Sequence, residues 1–149
     1  MKLLKPLDLP TVAKPIASYL PYQQVGNLLT ISGQLPMHEG KVAFTGKIGA
    51  ERTVEEGAEA ARLCLLNILA QIHQALQGDF SKLKTIVQLS GFVQATEDFT
   101  QHPEVINGAS NMLIEYFGEV AKHSRIAVGV SSLPRNASVE IAAIVEVDV

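Results

Sequence analysis

The sequence predicts an α+β fold in which two helices cover one face of a sheet. Two observations predict it. First, the periodic segments run strands, helix, strand, helix, two strands, and only the segments after Thr53 and Pro103 repeat at helical spacing. Second, the strand segments carry apolar side chains on both faces, for example Val87, Leu89 and Val93 on one face and Ile86 and Phe92 on the other. Two helices cover one face of such a sheet, so the other face needs a second cover. Another copy of the chain is the simplest one.

The elements follow in order. Pro6, Pro10, Pro15 and Pro21 forbid a long helix near the start, and residues 1–18 read as an extended proline-rich arm laid over a single domain, 1–149. Tyr22 to Gln34 reads as a hairpin turning at Gly26-Asn27, with Leu28, Leu29 and Ile31 as its apolar part. Its second strand ends on Ser32-Gly33-Gln34, where a glycine lets backbone amides approach a ligand or simply marks a bend. A short strand at Lys41 to Phe44 follows the Glu39-Gly40 turn. Thr53-Val54-Glu55-Glu56 fits a capping box, and Ala58, Ala61, Leu65, Ile68, Ile72 and Leu76 continue it as one apolar stripe up to Gly78-Asp79. Lys84 to Gln94 reads as a strand. Pro103 opens the second helix, which runs to about Glu119 with Gly108 weakening its first half.

The last 27 residues carry the most chemistry. Two alternating runs flank the turn Leu133-Pro134-Arg135-Asn136. In the first run Arg125, Ala127, Gly129 and Ser131 share a face, and Ile126, Val128 and Val130 share the other; in the second, Val139, Ile141, Ala143, Val145 and Val147 share one. A guanidinium beside small residues has room for a carboxylate or phosphate on its donor fork. The plainer alternatives are a surface arginine at a strand end or a subunit-interface ion pair with Glu119 or Glu140.

Bulk properties narrow the function classes. The chain has 149 residues, 47% hydrophobic and 18% charged, with a net charge of −3. That is a globular composition with a core, and the acidic balance argues against unspecific nucleic-acid binding. Cys64 is alone, which excludes an intrachain disulfide and suits a reducing, cytoplasmic setting; its place beside the helix stripe reads as a small buried hydrophobe. No apolar run reaches membrane-spanning length. His38, His73, His102 and His123 show no paired-ligand spacing, so no metal is expected. Gly40 to Lys47 misses the phosphate-loop spacing, no dinucleotide fingerprint or nucleophile elbow occurs, and no cofactor is implied. Glu55, Glu56 and Glu59 read as a solvated first helical turn, and Ser131-Ser132 has no adjacent base. What remains is Arg125, Tyr19, the Ser32-Gly33 backbone and Glu140.

Gly26-Asn27-Leu28-Leu29-Thr30-Ile31-Ser32-Gly33-Gln34-Leu35-Pro36 resembles the N-terminal hairpin motif of the Rid/YjgF family. Ser124-Arg125-Ile126-Ala127, Leu133-Pro134 and Val139-Glu140-Ile141 resemble its C-terminal signature. Residues 57–64 and 105–110 resemble a longer branch labelled endoribonuclease L-PSP. The resemblance covers about residue 17 to the end. It implies a chorismate-mutase-like mixed sheet with two helices on one face, and a homotrimeric barrel with clefts between subunits. In deaminase members the cleft arginine grips the carboxylate of a 2-imino or 2-enamino acid, which implies that role for Arg125. The resemblance likewise implies the Gly33 amide, Ser32, Tyr19, the Ala127 carbonyl and Glu140 as cleft groups, with Asn107 or Asn111 as the carboxamide of the second helix. One departure stands out. The last strand reads acid, apolar, acid in deaminase members, but here it reads Glu140-Ile141-Ala142, and a methyl group accepts no hydrogen bond from water. The implied function is therefore imine or enamine hydrolysis on small carboxylates. Its rivals are a non-catalytic carboxylate-binding protein and, less in keeping with the acidic balance, an endoribonuclease.

Overall fold

The computed structural model of the chain describes residues 1–12 and 17–148, so Pro15 of the expected arm lies outside the described residues. Strands β1 (Tyr22–Val25) and β2 (Leu28–Gln34) form the expected hairpin, with Gly26 at a φ of 60°. The Asn27 side chain ties this turn to the last strand by donating to Glu146 Oε1 at 2.9 Å. A separate two-stranded ribbon, β3 (Met37–His38) and β4 (Lys41–Val42), turns at Glu39 and Gly40, both at positive φ. It is shorter than the strand the sequence suggested.

Helix α1 (Val54–Ala75) starts on the complete capping box: the Thr53 oxygen accepts from the Glu56 N–H, and the Glu56 carboxylate accepts from the Thr53 N–H. Strand β5 (Leu83–Gln94) follows. Helix α2 (His102–Phe117) then stops two residues short of the expected Glu119, at Gly118, whose φ of 79° ends it. Strands β6 (Ser124–Val130) and β7 (Val139–Val147) close the chain.

The main sheet has the order β1-β2-β7-β5-β6 and is mixed, since β5 runs parallel to β6 and antiparallel to β7. β6 and β7 are neighbours in sequence, yet β5 lies between them. The connection is held open by a short 3-10 turn, Pro134–Asn136, in which Arg135 and Asn136 take positive φ. The Gln94 amide at the end of β5 donates to the carbonyls of Asn136 and Ala137 at 3.2 and 3.0 Å, locking the crossing in place.

Both helices pack on one face of this sheet, burying Leu29, Ile31, Leu89, Val93, Ile141 and Val145 beneath Leu65, Ile68, Ile72, Ile106 and Leu113. Cys64 is fully buried among them, as its position suggested. One expectation needs correction. Val87 does not share a face with Leu89 and Val93. In β5 Ile86 pairs with Val145 and Gln88 with the adjacent Ile144, so Val87 is an extra residue in a bulge. The bulge resets the alternation, placing Ile86 with Leu89 and Val93 under the helices and leaving Val87 exposed.

The opposite face of the sheet is open, with Leu28, Val87, Ile126 (45% exposed) and Val128 (42%) uncovered. Residues 1–12 run along the helices instead. The Leu4 N–H donates to the Tyr116 carbonyl at 2.8 Å, and Lys5 pairs with Glu115 and stands 4.6 Å over the Tyr116 ring. Arg62 shares the same carboxylate at 2.9 Å, and the two cations, Arg62 foremost, hold Glu115 down to about 2. Among the described residues no helix is long and apolar enough to cross a membrane.

Candidate functional site

Arg125 sits on the edge strand β6, in register with the buried Leu89 of β5. Alternation along β6 turns Ile126 and Val128 to the open face and Arg125 toward α2. Its Nη1 donates to Ser110 Oγ at 3.1 Å and its Nη2 to the Pro103 carbonyl at 3.3 Å. A guanidinium has five N–H donors, so most of the fork is left over. No carboxylate lies within ion-pair distance among the described residues. Glu119 pairs with Lys122, and Glu140 belongs to the other face of the sheet. Arg52 and Arg62, by contrast, are committed to Glu56 and Glu115.

The small-walled surroundings expected for Arg125 are filled in part. A Cβ added to Gly129 would stand 2.5 Å from His102 Nε2, so the imidazole occupies the space that the missing side chain leaves. His102 stacks edge-on with Phe99, and together with Ser131 they line a shallow cleft of about 340 Å³ at this end of β6. Ala127 is half-buried beside Gly91.

Two groups at this seam were missed in the sequence. Ser110 is within 2.9 Å of His123 Nε2, and His123 Nδ1 lies 2.8 Å from the Ala121 carbonyl. The available signal was parity, since His123 stands two residues before Arg125 and so points the same way. The partners of the guanidinium on α2 are thus Ser110 and Pro103, with neither Asn107 nor Asn111 among them. Asn107 is half-buried about one helical turn from both. Asn111 is exposed.

The remaining expected groups gather at the other end of the sheet. β2 is irregular between Ile31 and Gln34, and this break contains Ser32 and Gly33. The Ser32 hydroxyl donates to the Leu20 carbonyl at 2.7 Å and its N–H to the Pro21 carbonyl at 2.9 Å, which fastens the segment carrying Tyr19. Tyr19 and Gly33 then line one cleft of about 550 Å³, with Gln34, Met37, Asn67 and Gln71. Gln71 is buried on α1, and its Oε1 has no hydrogen-bond partner among the described residues.

Glu140 joins this group from β7. A Cβ at Gly33 would fall 2.7 Å from Glu140 Oε1, so the glycine is what lets the carboxyl lie against β2. Burial pushes the Glu140 carboxyl above the usual carboxylate range. A raised carboxyl favours folding most fully below its unfolded value, and that contribution fades as pH rises through the folded one. Glu140→Gln therefore raises the urea midpoint at about pH 8 and leaves it nearly unchanged at about pH 4. Equal midpoint changes at both pH values would contradict this.

Within one chain these two groups do not meet. Gly33 is on β2 and Arg125 on β6, with β7 and β5 between them. Three strand spacings amount to roughly 14 Å, and Glu140 faces the side of the sheet opposite to Arg125. Among the described residues no cluster of His, Cys, Asp and Glu would hold a metal ion.

Comparison with known proteins agrees with this architecture. The family model described as "YjgF/chorismate_mutase-like, putative endoribonuclease" matches residues 2–147. A crystal structure of the Agrobacterium tumefaciens protein Atu1372, of unknown function, is 49% identical with a TM-score of 0.91, covering 95% of this chain and 87% of that one. Protein TCP17 of Trypanosoma cruzi is 43% identical over 143 residues, 95% of this chain and 89% of that protein. A 2-iminobutanoate/2-iminopropanoate deaminase of Dermatophagoides farinae is 28% identical, over 95% of both chains. With a matching model across nearly its whole length and the same two-helix, mixed-sheet layout, the chain belongs to the YjgF/chorismate-mutase-like family.

Proposed function

We propose that this protein hydrolyses small 2-imino or 2-enamino acids to 2-oxo acids and ammonia, in clefts formed between copies of the chain in a homotrimer. The observation that carries the reading is Arg125: a half-buried guanidinium with no acidic partner among the described residues and most of its fork unused. Such a group suits a carboxylate as a bidentate ligand. The Gly33 amide, Tyr19 and the Ala127 carbonyl are the other groups offered to the substrate, with Ser32 holding the Tyr19 segment. Glu140 is the acid nearest to Gly33. The exposed Ile126 and Val128 support a second copy on the open face, since covering them removes apolar surface from water. The relatedness to the Dermatophagoides farinae deaminase supports the substrate class.

Imine hydrolysis asks for a held carboxylate, a water and a route for protons. The test is release of 2-oxobutanoate from freshly generated 2-iminobutanoate. The reading predicts a rate well above buffer, and a rate equal to buffer would end it. Ala142 favours a second reading, a carboxylate-binding protein without turnover, because the strand position two beyond Glu140 offers no acid. Thermal stabilisation by 2-oxobutanoate without any turnover would select that reading.

A further inference from the structure

We propose that Ser110 and His123 form a proton relay beside Arg125, taking the acid–base work that Ala142 cannot perform; this rests on the imine-hydrolase reading. The geometry fixes the proton positions. The Ala121 carbonyl only accepts, so His123 Nδ1 carries a hydrogen and donates to it across 2.8 Å. In the neutral ring Nε2 is then an acceptor, and the Ser110 hydroxyl, 2.9 Å away, donates to it. Arg125 Nη1 donates to the same Ser110 oxygen at 3.1 Å. The hydroxyl has one hydrogen and two lone pairs. One lone pair is engaged by Arg125, and the second is open to a water or amine at the anion site.

Protonation of His123 reverses the hydroxyl. Both ring nitrogens then donate, Nε2–H points at Ser110 Oγ, and the serine hydrogen is released toward the bound ligand. One serine therefore accepts a proton in one state and delivers it in the other, and no residue has to move.

The chemistry balances. A water oxygen forms a bond to the iminium carbon while one of its protons passes to Ser110 Oγ and the serine proton passes to His123 Nε2. The product is a carbinolamine whose carboxylate stays on Arg125. The proton returns through Ser110 to the amine nitrogen, and the C–N bond breaks with its electron pair leaving on ammonia. The hydroxyl proton passes to the departing ammonia as the carbonyl forms, giving ammonium. The sum is iminium plus water giving 2-oxo acid plus ammonium. Ser110 touches the reacting atoms, whereas His123 acts through it and is a positioning and proton-storing residue.

The experiment measures 2-iminobutanoate hydrolysis by wild type, Ser110→Ala and His123→Ala, with 2-oxobutanoate affinity and thermal midpoint for each. Both variants are expected to lose about 10²-fold in kcat, the usual worth of a positioned acid–base group, with affinity kept within about threefold because the arginine fork remains. Added imidazole is expected to restore His123→Ala and to leave Ser110→Ala unchanged. Wild type at the buffer rate sinks this proposal together with the imine-hydrolase reading. An active wild type with both variants unimpaired sinks the relay alone. Loss of kcat with no imidazole rescue, or with affinity and thermal midpoint falling in parallel, assigns the pair a structural role and also overturns it.

Discussion

Arg125→Ala is expected to lower kcat/KM for 2-iminobutanoate by about 10²-fold or more. Truncating one partner of a hydrogen-bonded charge pair costs about 2–5 kcal/mol, and about 1.4 kcal/mol corresponds to tenfold. Among the described residues no other arginine is free to replace the lost charge. Arg52 and Arg62 are held by Glu56 and Glu115, and Arg135 belongs to the turn before β7. The same change frees the Ser110 hydroxyl from Nη1, so kcat and KM are both expected to suffer. Arg125→Lys keeps the charge but loses the planar fork, and it should recover only part of the rate. Folding is expected to survive, because neither of the two bonds that Arg125 makes is buried in the core. Equal activity in wild type and Arg125→Ala, measured as 2-oxobutanoate release, would remove the arginine from the site.

Gly108→Ala carries the largest expected effect on stability. In isolation the substitution should help, since alanine is worth about 1 kcal/mol over glycine inside a helix. Here a Cβ at position 108 would stand 2.0 Å from the Ala58 carbonyl oxygen. That oxygen is helix backbone and cannot swing away as a flexible side chain does, so α1 and α2 must separate. Overpacking of this kind costs about 1–3 kcal/mol or more, and the separation also opens the core beneath both helices. A net loss of about 2–4 kcal/mol is expected, which for a chain of this size lowers the thermal midpoint by roughly 5–12 °C. A midpoint equal to or above wild type would show that the helices do not cross this closely in solution. The change should also weaken Arg125, whose partners Pro103 and Ser110 are both on α2.

Gly108 illustrates how far the sequence could be read. Along the chain it is only a weak point in a helix, because its purpose lies in a second helix about 50 residues away. Local signals were legible. The Thr53–Glu56 capping box and the Gly26 turn are made within a few residues, and their chemistry is written there. Long-range pairing was less so. Alternation placed Val87 with Leu89, and only the bulge against β7 moves it to the other face. The two C-terminal runs read as neighbours, yet β5 enters between them, an order set by the packing of the whole sheet.

The site divides in the same way. Strand parity and small neighbours singled out Arg125, and the structure leaves most of its donor fork unused. Ser110 was not singled out, because its pairing with His123 joins a helix to the segment before a strand. The resemblance implied a carboxamide lining the cleft from α2; within the chain, the α2 side chain that bonds the guanidinium is the Ser110 hydroxyl. Gly33 looked like a backbone donor or a bend. It also makes room for the Glu140 carboxyl, a function visible only when β2 and β7 lie side by side.

The central claim is that one chain supplies Arg125 and its neighbour supplies Gly33. Mixing subunits tests it directly. Gly33→Val crowds Glu140 and closes one half-site, while Arg125→Ala empties the other, so neither variant alone should bind 2-oxobutanoate. Refolded together in equal amounts, random assembly pairs an intact half with an intact half at about one cleft in four. Calorimetric titration of the mixture is therefore expected to recover about a quarter of the wild-type sites at wild-type affinity, and a mixture as silent as its two parents would contradict a shared cleft.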